Sequence, residues 1–143
     1  KWPKYAGVQF LLCLVKDKEI TGDSLDVYVC PNTPDVTYVD EADKTPGTGF
    51  ADWDNIDVNC ISYAGRGNKT YPVREDRADT TVIAADDNDG RPNHEHITNF
   101  VYMDARINTA DVADYVGELG DEALWVPVGP ESPHEELAKL LID

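Results

Sequence analysis

An acidic stretch near the middle of the chain carries the residues whose spacing is best suited to metal chemistry. Asp86, Asp87 and Asp89 lie close together in the run DDNDG. Closely spaced carboxylates can supply several of the roughly six to eight oxygen ligands that calcium takes. The spacing does not complete an EF-hand loop, because neither Ile97 nor Thr98 is the glutamate needed at its last position. The alternative is a turn in which Asp and Asn side chains accept hydrogen bonds from backbone amides.

Two histidines follow this stretch and suggest two further roles. His94 and His96 are separated by one residue, and together with an aspartate such a pair can bind zinc. Alternatively, a neutral His94 imidazole hydrogen-bonds Asp104 or Asp86 and fastens the acidic loop to a later hairpin. The second role is structural, and it is the role that we predict.

Common catalytic motifs are absent from the sequence. It contains no G-x-S-x-G, H-E-x-x-H or phosphate-binding loop, and Ser62 has no identifiable base nearby in the sequence. Acidic neighbours are frequent because 28 of the 143 residues are Asp or Glu, so their proximity alone does not indicate acid–base catalysis. We therefore predict that the protein is not an enzyme.

The charge balance excludes a general nucleic-acid-binding protein. Twelve basic residues oppose 28 acidic ones, which gives a formal net charge of −16, whereas binding to a phosphate backbone needs a basic face. The same charge disfavours docking on anionic lipid. Three roles are left for the acidic residues, namely solubility, calcium binding and attraction of a basic partner.

Three cysteines limit the chain to one internal disulfide at most. Cys13 lies in the apolar run FLLCLV, where a buried free thiol is common. Cys30 and Cys60 both flank extended segments, and they are the predicted pair if the domain is exported to an oxidising compartment. Their bridge would close the long loop between them and stabilise the fold by about 3–4 kcal/mol.

One helix and several short strands are expected to position these residues. Apolar residues at near-helical spacing predict a helix over residues 2–18. Strand patterns occur at residues 25–30, 60–64, 80–85 and 98–103. This order of elements predicts an α+β fold with an antiparallel sheet, in a single domain that spans residues 1–143.

Turns and shorter elements complete the expected fold. Residues 65–68 are predicted to form a turn, and residues 104–105 a hairpin turn that leads into a strand at 106–108. Residues 112–119 are expected to form a short helix or a loop, and residues 135–141 a terminal helical turn. The long loop 31–59 and the tail 117–143 are the expected binding surfaces, because loops on a rigid scaffold carry variable function.

Residues 93–106 resemble the C-terminal signature of the H-X9-DG, or prepilin-processing-associated, family of pilin-like proteins. His94 and Asp104 are separated by nine residues, and Asn99 and the aromatic–aliphatic strand before Asp104 also match. The segments VYVCPN and SYAG resemble earlier pieces of the family pattern, in the same order. The motif's glycine is Ala105 here, which resists the positive φ of a type I′ turn. Either the turn differs, or Asp104 takes the left-handed position.

This resemblance implies a pilin-type head, in which an N-terminal helix packs on a small antiparallel sheet with long loops. Family members begin with a hydrophobic helix, and no apolar run here reaches the roughly 20 residues of a membrane span, so that helix is expected upstream of Lys1. The implied function is a structural subunit of a type II secretion pseudopilus or type IV-like filament, with other pilin or pseudopilin subunits as partners. The implied location is the inner membrane before assembly and the periplasm or cell surface afterwards.

A second function fits the same sequence, namely an extracellular calcium- or carbohydrate-binding module. Related pseudopilins hold calcium in a late loop, so the resemblance makes calcium the candidate cofactor of the acidic loop, although the turn is the favoured alternative there. Trp53, Tyr63 and Trp125 are candidates for a sugar-binding surface, although such aromatics more often fill a core. The segment that precedes Lys1 in the gene distinguishes the two functions, because only the first requires an apolar helix there.

Overall fold

Five antiparallel strands form one sheet in the computed structural model, which describes residues 6–13, 27–35, 61–88 and 92–142. The strands are β1 Tyr63–Arg66, β2 Val82–Asp86, β3 Ile97–Tyr102, β4 Ile107–Asp111 and β5 Leu140–Leu141. Their order is β4-β3-β2-β1-β5, so the first four form a meander and β5 returns to pair with β1. The predicted α+β class with an antiparallel sheet is confirmed, although the described elements are mostly sheet.

Helical structure in the described ranges is limited to short turns. Those with both ends described are the α-helical turns α1 Val8–Leu11 and α2 Val116–Leu119 and the 3₁₀ turns Glu75–Arg77, Val112–Tyr115 and Leu137–Lys139. Cys13 is also helical, and Val27 and Tyr28 lie in a 3₁₀ turn, each at the edge of a described range. The prediction for residues 112–119 is confirmed. Of the helix predicted over 2–18, residues 8–11 form α1, whereas Ala6 and Gly7 are not helical; residues 2–5 and 14–18 lie outside the described residues. Among the described helices, none has the length and apolarity that crossing a bilayer requires.

The inner face of the sheet holds the hydrophobic core. Side chains on a strand alternate between faces, and the registers align Ala64 with Ala85 and Ala85 with Phe100 on this face. Val126 and Leu137 come from the segment that follows the meander, are fully buried, and pack against these residues. The C-terminal segment therefore covers the inner face.

A β-bulge in β2 decides which residues of that strand reach the core. The register shifts between Val82, which pairs with Tyr102, and Ala84, which pairs with Val101. Because one extra residue enters the strand here, both Val82 and Ala85 are buried, at 0% and 3% exposure, although strict alternation would put them on opposite faces. The sequence pattern at residues 80–85 predicts the strand but not this irregularity.

The described N-terminal segment contacts the outer face at Gly65. Gly65 lies in β1, and a Cβ atom placed there would be 2.0 Å from the carbonyl oxygen of Gly7. The backbone N of Gly7 donates a hydrogen bond to the carbonyl oxygen of Arg66 (3.2 Å), which holds the segment that contains α1 next to β1. Only a glycine at position 65 allows this approach.

Three of the predicted elements are corrected by the structure. Residues 27–30 do not form a strand; Val27 and Tyr28 lie in a 3₁₀ turn, and the Ser62 backbone N donates to the Tyr28 carbonyl oxygen (2.9 Å). Residues 65–66 belong to β1 and not to a turn, because they pair with β5. The predicted helical turn at 135–141 is shorter than expected, because its last two described residues form β5.

Candidate functional site

Asp86 and Asn99 contact each other on the outer face, where β2 ends beside β3. Asp86 Oδ2 accepts hydrogen bonds from the Asn99 backbone N (2.8 Å) and from Asn99 Nδ2 (3.0 Å). Asp86 is only 3% exposed. This burial raises the pKa of its carboxyl group, and the opposing effects of Asn99 and the nearby His94 do not cancel the rise. The pair therefore fastens two strands together through a carboxylate held out of bulk water.

His94 lies beside Asp86 and not beside Asp104. The His94 Nε2 atom is 3.9 Å from Asp86 Oδ1, and the His94 side chain is 37% exposed. Asp104 follows the far end of β3, a strand of six residues that spans about 20 Å. Of the predicted motif residues, the structure brings His94 and Asn99 together around Asp86 and leaves Asp104 at the opposite end of the strand.

The β3–β4 hairpin turn is closed by Asp104 and Arg106. Asp104 Oδ2 accepts a hydrogen bond from Arg106 Nε (2.8 Å), and the backbone N of Tyr102 donates to the carbonyl oxygen of Arg106 (2.9 Å). Three residues form the loop, and Ala105 adopts a φ of 67°, as in a turn followed by a left-handed residue. The sequence analysis left two alternatives, a turn of another type or a left-handed Asp104. The first is confirmed, because the turn differs from type I′, and the second is wrong, because Ala105 and not Asp104 has the positive φ.

Asp87 belongs to a different cluster from Asp86. Adjacent strand residues point to opposite faces, and Asp87 Oδ1 contacts Asn93 Nδ2 (3.4 Å) rather than Asn99. The Asn93 Nδ2 atom also donates to the Ser62 carbonyl oxygen (2.9 Å). Both carboxylates are therefore engaged by amide groups in separate places.

The predicted metal ligands do not form a cluster within the part of the chain that the structure describes. No three His, Cys, Asp or Glu side chains among residues 6–13, 27–35, 61–88 and 92–142 come together as a metal-binding group. The zinc alternative with His94 and His96 therefore has no three-ligand cluster among the described residues. Asp89 lies outside the described residues, so calcium in the acidic loop stays a prediction.

A buried polar network that the sequence analysis missed anchors the loop between β2 and β3. Asn88 Nδ2 donates to Thr98 Oγ1 (2.8 Å), which donates to the Val126 carbonyl oxygen (2.6 Å). The Asn93 backbone N donates to Asn88 Oδ1 (2.9 Å). Asn88, Asn93 and Thr98 are at most 6% exposed. Asparagines in an acidic, glycine-containing run look like solvent-exposed turn formers, so no signal in the sequence marks them as buried.

Ser62 is the centre of a second network and is not placed for catalysis. Ser62 is 0% exposed, and its Oγ accepts from the Cys30 backbone N (2.9 Å), contacts Thr33 Oγ1 (2.8 Å) and donates to Asp35 Oδ2. A nucleophile needs access to a substrate, whereas this hydroxyl joins the 27–35 segment to the start of β1.

The predicted disulfide between Cys30 and Cys60 stays a prediction. Cys30 is 5% exposed, and its sulfur is not in a disulfide in the structure. Cys60 lies outside the described residues. Cys13 is 5% exposed, which confirms that it is buried.

An ion pair that the sequence analysis also missed joins the C-terminal segment to the sheet. Arg66 Nη1 is 3.0 Å from Glu136 Oε2, and the Arg66 side chain is 6% exposed. Arg66 also donates to the carbonyl oxygens of Val82 (3.0 Å) and Tyr71 (2.9 Å). Burial alone would raise the pKa of Glu136, but hydrogen bonds from Lys139, Val82 and Arg66 outweigh it and leave that pKa lowered.

This arrangement is suited to holding a rigid surface. Every buried side-chain nitrogen and oxygen in the described residues has a hydrogen-bond partner. The outer face beside Gly65 carries a shallow groove of about 160 Å³, lined by Tyr63, Ala84, Val101 and Ile107. Ile107 is 76% exposed. The groove is a candidate surface for contact with another chain.

Comparison with known proteins identifies no relative. No protein-family model matches the chain, and no match was found among curated proteins or among solved structures.

Proposed function

We propose that this chain is the head of a pilin-like subunit in a type II secretion pseudopilus or type IV-like filament, and that it acts by assembly and not by catalysis. The proposal starts from the resemblance of residues 93–106 to the H-X9-DG signature. Its partners are other pilin or pseudopilin subunits. The subunit is anchored in the inner membrane before assembly and lies in the periplasm or on the cell surface afterwards.

The close approach of the N-terminal segment to β1 carries this proposal. A pilin-type head places helical chain on one face of an antiparallel sheet. Here the outer face meets the segment that contains α1 at Gly65, where the Gly7 carbonyl oxygen occupies the space of a side chain. Val8 and Leu12 of the same segment are buried, at 2% and 0% exposure. This contact of the N-terminal segment with the sheet at Gly65 supports the proposal.

The residues of the motif support a structural role. Asn99 uses its backbone N and its side-chain Nδ2 to hold the Asp86 carboxylate, and Asp104 holds the hairpin turn through Arg106. Each interaction stabilises one end of the β3 strand. A residue pattern that fixes both ends of a strand is useful to a protein whose surface must pack repeatedly against identical neighbours.

The outer-face groove is the surface that we assign to subunit contact. Ile107 is apolar and 76% exposed at the edge strand of the sheet, beside the half-buried Val101. Burial of such a side chain between subunits is favourable by about 1.5–3 kcal/mol, and a filament repeats the contact many times. A charged side chain at this position would abolish that gain.

The test uses the full-length gene product in its own host. Filaments or pseudopili are sheared from the cells and probed for this chain, in the wild type, in a strain without prepilin peptidase, and with Ile107→Arg. We expect the chain in the sheared fraction of the wild type and of the control variant, and in neither the strain without prepilin peptidase nor the Ile107→Arg strain. Thr70→Arg is the matched control, because Thr70 is also exposed but lies in a loop. Release of the chain as a monomer, unaffected by loss of the peptidase, would contradict the proposal.

A further inference from the structure

A cleft in the C-terminal segment lies away from the groove described above. It has a volume of about 360 Å³ and is lined by Leu119, Glu122, Ala123, Leu124, Trp125 and Pro127. Leu124 is 55% exposed. Clefts that bind ligands or side chains of partners typically begin near 300 Å³ and are mostly apolar with a few polar groups. This cleft meets both criteria and has no part in the motif or in the sheet faces.

The cleft is held rigid although its lining has little regular secondary structure. The Leu124 carbonyl oxygen accepts a hydrogen bond from the His96 backbone N (3.0 Å), and the Val126 carbonyl oxygen accepts one from Thr98 Oγ1 (2.6 Å). Val126 is fully buried in the core. The two bonds flank Trp125, so its backbone is fixed on both sides. A preformed site loses less entropy on binding than a flexible loop does.

The described surroundings of the cleft are acidic. Between Arg106 and Lys139 the chain has eight acidic residues and no lysine or arginine. Glu122 lines the cleft, Glu118 and Asp121 are the sequence neighbours of the lining residues Leu119 and Glu122, and all three are exposed. No ion pair joins any of these three carboxylates to a cation of the described residues. Uncompensated charge beside an apolar surface attracts a partner of opposite sign.

We propose that this cleft binds a peptide segment of another protein in which an apolar side chain is flanked by lysine or arginine. The apolar side chain enters between Leu124 and Pro127, and the cations contact the acidic rim. A guanidinium group has an additional partner in the indole of Trp125, because cations are attracted to aromatic faces. A second copy of this chain is a poor occupant of this cleft, because its formal net charge of −16 opposes the acidic rim, whereas the subunit contact proposed above uses the apolar groove at Ile107.

The test measures binding of short synthetic peptides to the purified chain by isothermal titration calorimetry. One peptide alternates lysine with leucine, a second alternates lysine with serine, and a third alternates glutamate with leucine. We expect measurable binding of the first peptide alone, with an affinity that decreases as salt is raised because the rim is exposed to solvent.

Two matched variants locate the binding site. Leu124→Ser removes an exposed leucine from the cleft, and we expect it to weaken binding of the lysine–leucine peptide by about tenfold or more, from the burial of one leucine. Ile107→Ser removes an equally apolar, exposed side chain from the outer-face groove and should leave binding unchanged. Equal binding of the lysine–serine peptide, or an equal loss of affinity in both variants, would overturn the proposal.

Discussion

Replacement of Gly65 by alanine tests the contact on which the proposed function depends. The new Cβ would be 2.0 Å from the Gly7 carbonyl oxygen, 2.8 Å from the Gly7 carbonyl carbon and 3.1 Å from Leu11 Cγ. Since ordinary contacts begin at 3.4 Å, the Gly7 backbone must move by about 1.4 Å, the difference between 3.4 and 2.0 Å. A shift of this size exceeds what a packed interior absorbs without loss of stability.

The expected cost follows from what the shift disrupts. The hydrogen bond from the Gly7 backbone N to the Arg66 carbonyl oxygen is 3.2 Å long and would break, at a net cost of about 1 kcal/mol. Strain or unpacking around the buried Val8 and Leu12 adds about 1–3 kcal/mol, the usual range for an overpacked core. We therefore expect Gly65→Ala to lower the free energy of unfolding by about 2–4 kcal/mol.

Urea denaturation followed by circular dichroism measures this change. Gly117→Ala is the matched control, because an added Cβ there meets no atom within 4 Å. In the helix α2 it should raise stability by about 0.5–1 kcal/mol, as alanine does when it replaces glycine. Amide hydrogen exchange should show faster exchange at the Leu12 amide in Gly65→Ala. A Gly65→Ala protein as stable as the wild type would refute the contact between the N-terminal segment and β1.

Four further outcomes are expected. Ala105→Gly should raise the free energy of unfolding by about 0.5–1 kcal/mol in urea denaturation, because φ is 67° there and glycine adopts that conformation without steric cost; a loss of stability would argue against the left-handed residue. Asp86→Asn keeps an acceptor for Asn99 and removes a buried carboxyl group whose pKa is raised. Because that carboxylate lowers the stability of the wild type as pH rises through its folded-state pKa, the variant should gain stability relative to the wild type towards neutral pH. A difference in stability that stays constant across pH would contradict this. Burial lowers the pKa of His134, whose Nδ1 accepts a hydrogen bond from the backbone N of Glu136 (3.2 Å). Because the unfolded chain then binds a proton at this side chain before the folded chain does, the free energy of unfolding should fall as pH drops below about 6.5, with a smaller fall in His134→Gln. Millimolar calcium should raise the melting temperature if the acidic loop with Asp86, Asp87 and Asp89 binds it; no shift would remove calcium from this loop.

The sheet strands could be predicted where their side chains alternate without interruption. Residues 98–103 predict β3 to within one residue at each end, because Thr98 and Phe100 are buried and their neighbours are not. The strand predicted at 80–85 becomes β2 at Val82–Asp86. Its bulge is invisible in the sequence, since a bulge is fixed by pairing with a partner strand and not by the strand's own pattern.

Elements that depend on distant residues could not be predicted. The sequence predicts a turn that includes Gly65 and Arg66. Arg66 lies in a strand instead, because it pairs with β5 and contacts Glu136, which lies 70 residues further along the chain. The segment at 27–30 has a strand-like alternation, but Ser62 takes up its backbone groups instead. Long-range pairing overrides local propensity in both cases.

The candidate site could be predicted in part. The sequence motif indicates His94, Asn99 and Asp104, but it gives no direction in space, so the separation of Asp104 from the other two by the length of β3 appears only in the structure. Asn88, Asn93 and Ser62 are polar residues whose burial depends on partners in other segments. Polar residues of this kind look exposed in any single sequence.

The segment that covers the core follows the meander in the chain, so the core can close only after that segment has been made. During synthesis from the N-terminal end, β1 to β4 emerge with their apolar side uncovered until Val126 and Leu137 have been made. The Arg66 guanidinium likewise cannot form its ion pair until Glu136 has been made. A protease that cut the chain between the exposed Pro130 and Glu131 would therefore separate Leu137 and β5 from the rest of the chain. Val126 would stay attached, and the intact meander would lose part of the cover that protects its core from aggregation.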